Sequence, residues 1–472
     1  MKRTWNNWIS LAAVLAVVCM AAVRAEQPGM EEMLRRLKAM EDKMNTQEKE
    51  IGTLRQQLKT AEQYNTLKPG IHMQVNRAIE SKTGSNLVFH NPDLHKRGVR
   101  IGGYFDISYQ YNLNRPDTQA NALRVFDNED NNGFNVHLAE LDFDGTAQAP
   151  GEAGFRVDLA LGTDARKFHA FDKADMLGGV ANDRQFDLQQ AYIDYIAPIG
   201  NGITFKFGKM VTPFGFEVIE AQENWNASRS YQFGYTIPFT HTGVMASYKF
   251  FDSWTLTGHV VNGWDNMQDN NDGKTFILQS SWSPTKWFTW NVVGSVGNER
   301  TFTDRVTTDG ADAIQNNDSD VRYNVNTNML FTPWESLSFG VDATWGRDEN
   351  ASVRIAPGTG VPNGRDGIWY GAAGYVKWGF LKNWYVAGRG EYLNDIGGSR
   401  TGVPQKLWSG TATVSWTLAA PMEMRFEYRH DGSSENPFAD TESGATGGRP
   451  PGGTRNGRST QDTLMVQWLY KW

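Results

Sequence analysis

The sequence predicts an all-β fold, a closed antiparallel transmembrane β-barrel of about sixteen strands, preceded by an N-terminal coiled-coil helix. Three observations carry that prediction. Segment after segment alternates apolar and polar residues with a period of two. The gaps between segments are alternately long and short. The composition joins 17 Trp, 25 Phe, 16 Tyr and 48 Gly to a hydrophobic fraction of only 39%. A soluble chain of this length needs a larger apolar fraction to fill its cores; a wall that is apolar on one face does not.

Taken in order, residues 1–25 read as a signal peptide. Lys2 and Arg3 precede an apolar run over 9–23, and Val23-Arg24-Ala25 suits signal peptidase. The run is too short for a membrane-spanning helix. The only cysteine, Cys19, lies inside it, with Val18 where a lipidated cysteine needs a small residue. The chain after residue 25 therefore has no thiol, disulfide or thiolate metal site. Without Lys2, Arg3 and Arg24 it holds 43 basic against 53 acidic residues, a formal charge of −10. That balance excludes the basic footprint of a nucleic-acid binder.

Residues 30–65 carry a helical seam. Met30, Met33, Leu37, Met40, Met44, Gln47, Ile51, Leu54, Leu58 and Ala61 follow unbroken spacings of three and four, with mostly charged or amide residues between them. A stripe this narrow and this sustained predicts a coiled coil; a single solvated helix is the other reading. Pro69-Gly70 lies in a polar linker over 66–98.

From 99 to 472 the period is two. Val99, Ile101, Phe105, Ile107, Tyr109 and Tyr111 share one parity, against Arg100, Asp106, Ser108, Gln110 and Asn112. Met422, Met424, Phe426 and Tyr428 likewise oppose Glu423, Arg425, Glu427 and Arg429, and the last segment aligns Leu464, Val466, Trp468, Tyr470 and Trp472. Segments of about ten residues, the length a tilted membrane strand needs, begin near Val99, Phe134, Gly154, Leu188, Gly202, His241, Trp254 and Thr275. The remainder begin near Trp287, Val321, Leu337, Ile368, Trp384, Lys406, Met422 and Asp462. Long gaps follow the odd segments and short ones the even, such as Phe251-Asp252-Ser253 and Ala419-Ala420-Pro421. Outer-membrane barrels have this asymmetry of outside loops and periplasmic turns, and an even strand number leaves both ends, and so the helix, in the periplasm. Closure follows because hydrocarbon tolerates no unpaired sheet edge. In the second segment Val136 and Leu138 fall out of phase with Leu141 and Phe143, which a bulge would repair. Trp254, Trp287, Trp334, Trp384, Trp468 and Trp472 near segment ends read as an interfacial girdle.

About sixteen strands leave an aqueous channel. The polar parity then lines it with Arg100, Arg156, Lys206, Lys249, Arg322, Lys377, Arg389, Arg425 and Arg429, and with Asp106, Asp158, Asp194, Asp342, Glu391, Glu423 and Glu427. Charged rings of this kind sort solutes, but the signs nearly balance and set no ion preference. The gap over 211–240 is too apolar for an exposed loop, with Phe214, Phe216, Trp225, Tyr231, Phe233, Tyr235 and Phe239. Glu217, Glu220 and Glu223 predict a short helix with an acidic side, followed by Ser228-Arg229-Ser230. Folded into the lumen, this loop would constrict the pore; a lid on the barrel mouth and a contact with a neighbouring subunit are the other readings. Asp265, Asp269, Asn271, Asp272 and Gly273 lack the spacing of a calcium loop. His137, His241, His259 and His430 lack zinc spacing. No nucleophile elbow or phosphate loop is present, so no catalytic, metal or cofactor site is expected.

Gly208-Lys209-Met210-Val211-Thr212-Pro213-Phe214-Gly215, Asn226-Ala227-Ser228-Arg229-Ser230-Tyr231, Val261-Asn262-Gly263-Trp264-Asp265-Asn266 and Arg425-Phe426-Glu427-Tyr428-Arg429 resemble the OmpL-like β-barrel porins. That family is related to the phosphate-selective porins O and P, which share a similar Gly-Lys-x-x-x-Pro-Phe-Gly turn. The resemblance covers about 99–472 and implies a passive outer-membrane pore. Phosphate porins, by the same resemblance, line their pore with a dense arginine and lysine ladder, whereas the signs here are mixed. The expected protein is a channel, not an enzyme, for small polar solutes or ions. It is embedded in outer-membrane lipid as a homotrimer, its coiled coil either trimerising it or reaching peptidoglycan. The alternatives are a structural anchor linking the membrane to the cell wall through the coiled coil and a phosphate- or anion-selective porin.

Overall fold

The computed structural model describes residues 98–116, 120–128, 131–170, 185–299, 305–308, 311–314, 320–353, 364–438 and 457–472. The regions read as signal peptide and coiled coil, and all but the last residue of the linker, lie outside the described residues.

Alternation of side chains across a pleated backbone turns the period of two into strands. The first nine are β1 (Arg100–Asn112), β2 (Gly133–Gly145), β3 (Ala153–Leu161), β4 (Phe186–Ala197), β5 (Ile203–Val211), β6 (Thr240–Phe251), β7 (Trp254–Val261), β8 (Thr275–Thr285) and β9 (Phe288–Asn298). A short ribbon, β10 (Arg305–Thr308) and β11 (Ala311–Ile314), stands apart in the following loop. Then come β12 (Val321–Trp334), β13 (Leu337–Asp348), β14 (Gly367–Leu381), β15 (Trp384–Asp395), β16 (Gln405–Ala419), β17 (Met422–Ser433) and β18 (Thr460–Lys471). Apart from the ribbon, the strands form one closed barrel of sixteen, each beginning within two residues of its expected start. Every pairing is antiparallel between chain neighbours, and β1 against β18 closes the ring with Tyr104 opposite Lys471 and Asn112 opposite Thr463. Long loops leave the end opposite the one that carries both barrel termini.

The two parities separate as expected. Phe105, Phe134, Ile193, Val325, Phe426 and Tyr428 are exposed on the outer face, where lipid covers them, while Asp106, Ser108, Gln110, Asn324, Asn326, Arg425 and Arg429 are buried within. Lys249 is inward by parity but stands near the short-turn rim, exposed and paired with Asp252 at 2.8 Å. In β2 the bulge falls at His137: Leu138 pairs with Asp106 and Val136 with Ile107, so that both His137 and Leu138 are buried. A second register shift, in β4, inserts Gln189 between Leu188 and Gln190. Trp287 and Trp334 are exposed, Trp384 stacks on Trp416 with centroids 5.1 Å apart, and Trp472 lies 4.7 Å from Phe105.

The interior also holds an apolar core made largely by loops. Phe126, Phe168, Phe214, Ile219, Phe233, Ile237 and Phe239 cluster with Tyr104, Leu138, Val261, Ile277, Val293 and Leu469 of the wall. Hydrophobic burial here joins loops to the inside of the ring rather than sheet to sheet.

Candidate functional site

The third loop, 212–239, is built into the barrel. Its neck closes where Thr212 N donates to Phe239 O at 2.9 Å, and Asp265 Oδ1 accepts from Phe239 N at 2.6 Å and Thr240 N at 2.9 Å. The chain then turns at Gly215, whose φ of +88° suits a residue without a side chain. Gly215 N donates to Asn326 Oδ1 at 3.2 Å and Gly215 O accepts from Asn328 Nδ2 at 3.1 Å. A Cβ on Gly340 would come 2.4 Å from Phe216 Cζ, so glycine in β13 makes room for that ring.

Irregular backbone buried inside the barrel must find partners, and the inward charges of β15–β17 supply them. Glu427 accepts from Ala227 N at 2.6 Å and Ser228 N at 3.0 Å. Glu391 Oε2 accepts from Tyr231 N at 2.6 Å. Arg389 Nη1 donates to Glu217 Oε1 at 2.8 Å and to Ser228 O at 2.6 Å, while Glu217 Oε2 accepts from Ser230 N at 2.8 Å. Arg425 Nη1 donates to Ala221 O at 3.0 Å, and its Nε pairs with Glu423 at 2.6 Å. Arg429 Nη1 donates to Arg229 O at 2.5 Å, and its Nε pairs with Asp431 at 2.7 Å. Carboxylates hold the loop's amides and guanidiniums hold its carbonyls, the stronger charge-assisted kind of bond.

The acidic-sided helix expected over 217–223 is replaced by a single 3₁₀ turn, Ala221–Glu223, followed by a π-helical turn, Gln232–Thr236. The three glutamates diverge because each answers a different wall. Glu217 meets Arg389, Glu220 accepts from Gln189 Nε2 at 3.3 Å, and Glu223 lies 3.8 Å from Lys471. Burial pushes the Glu220 carboxyl above its ordinary range, and burial likewise pushes Asp265 up to about 6 despite two amide donors. Arg229 donates to Ile219 O at 2.6 Å. Of the residues singled out from sequence, Glu217, Arg229, Arg389, Glu391, Arg425, Glu427 and Arg429 thus meet around the loop. Arg156 pairs with Asp158 at 2.7 Å, Lys206 donates to Tyr192 Oη at 3.1 Å, and Arg322 pairs with Asp348 beside Trp264, all elsewhere on the wall.

The first loop, 113–132, also enters the barrel, without a strong sign of this in the sequence. Arg124 is buried inside the barrel, 2.6 Å from Asp431 and 2.7 Å from Thr463 Oγ1, and Phe126 packs 5.4 Å from Phe233. The loop's apolar cluster, Leu123, Val125 and Phe126, is diluted by neighbouring Asn and Asp. Among the described residues no group of three or more His, Cys, Asp or Glu is arranged to hold a metal.

A closed ring of sixteen strands, apolar outside, charged inside and with a loop turned into its lumen, is the architecture of a porin. The chain belongs to the family described as "Putative beta-barrel porin-2, OmpL-like", whose model matches residues 98–471, and it is accordingly an outer-membrane channel protein. Solved structures share the fold at low identity. OprB of Pseudomonas putida is 9% identical, with 81% of this chain and 96% of that one covered and a TM-score of 0.53. The trimer form of the outer membrane protein OmpT of Vibrio cholerae is 12% identical, with 79% and 99% covered and a TM-score of 0.50. An anion-selective porin from Comamonas acidovorans is 10% identical over 79% and 99%, with a TM-score of 0.48. Among curated proteins none matches.

Proposed function

We propose that the channel is water-filled and passive, that it admits small polar solutes or ions, and that the third loop is its constriction. The observation supporting this is the set of bonds from the loop backbone to Asn326, Glu391, Arg425, Glu427 and Arg429, all inward residues of the barrel wall. A loop held this way takes cross-section from the lumen without needing any catalytic group. The barrel works as a homotrimer in outer-membrane lipid, with the 30–65 seam either joining three copies in the periplasm or contacting peptidoglycan. Deleting residues 216–230 should raise single-channel conductance at least about twofold, since the lumen of a sixteen-strand barrel is wide without an inserted loop. Unchanged conductance in a correctly inserted variant would remove the loop from this role.

The seam also favours a second reading, in which anchoring is the main task and the barrel is a plug. A barrel electrically silent in planar bilayers, yet retained by peptidoglycan through residues 30–65, would establish it.

A further inference from the structure

We infer that Arg400 and Trp264, at the long-loop end of the lumen, form a binding site for a small organic monocarboxylate. That a solute held there is on its way through the barrel rests on the channel reading above, and the site names a class of solute that reading leaves open.

Arg400 differs from the guanidiniums of the wall. Arg156, Arg322, Arg389, Arg425 and Arg429 each pair with a carboxylate, in Asp158, Asp348, Glu217, Glu423 and Asp431. The Arg400 side chain contacts none. Its Nε donates to Tyr235 O of the third loop at 2.5 Å, and its Nη1 and Nη2 have no acceptor among the described residues. The residue is half-buried, as are Arg322 and Trp264, and neither Nη atom is closed off from solvent.

Backbone and rings hold this guanidinium in place. Asp395 Oδ2 accepts from Arg400 N at 3.0 Å and from Thr401 N at 2.7 Å, which ties loop 396–404 to the end of β15. The guanidinium carbon lies 4.9 Å from the centre of the Trp264 ring and 5.2 Å from that of Trp369, two indoles that meet edge to face. Trp264 is fixed in turn, its backbone N donating to Glu299 Oε2 at 2.7 Å. Stacking on an indole uses the flat face of a guanidinium and leaves its N–H edge for a planar acceptor. A carboxylate takes two such bonds at once, and a side chain already ordered loses little entropy in giving them.

The surroundings also set the charge of the ligand. Arg322 lies over the same indole at 5.0 Å, and burial together with this second cation pulls the Arg400 guanidinium down to about 10, still charged at neutral pH. A bound anion relieves both effects. Four carboxylates stand nearby, each already engaged. Asp348 is paired with Arg322, Asp395 holds its own loop, Asp265 holds the neck of the third loop, and Glu299 accepts from Trp264 N and Thr275 Oγ1. They act on Arg400 or Arg322 through space, so they oppose a second negative charge on the ligand and disfavour inorganic phosphate. The half-buried Trp264 offers apolar surface for the body of an organic acid.

The test uses the full-length protein folded in detergent, with binding of benzoate, benzamide and inorganic phosphate read by titration calorimetry. Benzoate should bind once per barrel, and phosphate at least about tenfold more weakly. Benzamide, of the same shape but uncharged, should show no saturable binding, a comparison that needs no variant. Arg400→Gln should weaken benzoate binding at least about tenfold, through loss of a charge-assisted fork, with Arg400→Lys between the two. Heat-modifiability checks that each variant is folded. Benzamide or phosphate binding as tightly as benzoate, or an unchanged Arg400→Gln variant, overturns the inference. So does a protein that conducts in planar bilayers but binds no benzoate, and the channel reading then stands. A barrel that binds benzoate as expected yet carries no current keeps the site and overturns the channel reading.

Discussion

At the scale of single residues, four loop carboxylates raised by burial respond to acid in one direction. Asp265 closes the neck of the third loop, and burial lifts its carboxyl from an ordinary 3.8 to about 6, with Arg400 and Lys209 near enough to moderate the rise. A raised carboxyl binds its proton more tightly in the folded chain than in the unfolded one. Between about pH 4 and 6 the folded state therefore holds more protons, and stability falls as pH rises through that window. Asp127, Glu220 and Glu299, also loop groups pushed upward by burial, act in the same sense. The thermal midpoint of the purified barrel should decline from pH 4 to pH 6.5. Asp265→Asn, which keeps an oxygen for the two amides, should remove its share, up to roughly 3 kcal/mol. Parallel curves for the two proteins would show that Asp265 does not govern this clamp.

At the scale of elements, the β2 bulge has a purpose beyond restoring phase. By adding one residue it turns His137 inward, where its Nε2 lies 2.7 Å from Ser108 Oγ and 3.6 Å from Asp127 Oδ1, and its Nδ1 3.4 Å from Asp164 Oδ1. One ring therefore ties β1 and β2 to the first and second long loops. His137→Ala would leave two loop carboxylates buried without that partner, a loss of about 3 kcal/mol. It should also free the first loop, so that trypsin cuts after Arg124, which the native barrel buries. A variant with native melting and an uncut first loop would deny the bulge this function.

The bulge was legible in the sequence because a phase slip is a local signal, and so were the strands, whose period of two needs only neighbouring residues. The burial of the third loop was legible from its aromatics. The partners of its backbone were not, because Glu427 lies some two hundred positions from Ala227 and only ring closure brings them together. The same holds for Arg124 and Asp431, separated by most of the barrel in sequence and joined at its seam in space. Nor did spacing alone reveal that Glu217, Glu220 and Glu223 diverge, since a helical period presumes a helix and the loop instead follows its wall contacts.

At the scale of the whole molecule, stability depends on the ring having no edge. The seam pairs the first strand with the last, so it is the one ladder that cannot form until the entire barrel has been made. Trp472 extends that seam: its N–H donates to Gly103 O at 3.1 Å, and its ring packs on Phe105 at the short-turn end. An aromatic ring at this level sits at the membrane interface and anchors the strand end that must find β1. Trp472→Ala removes the ring but keeps the terminal amide, so the finished barrel should lose only about 1 to 2 kcal/mol. Assembly should suffer more than the assembled state, because the ring acts before the seam's own hydrogen bonds exist. The expected result is a several-fold fall in the heat-modifiable, folded form found in outer membranes. The fraction that does fold should melt within a few degrees of the native protein. Native membrane levels would mean that the seam closes on backbone pairing alone.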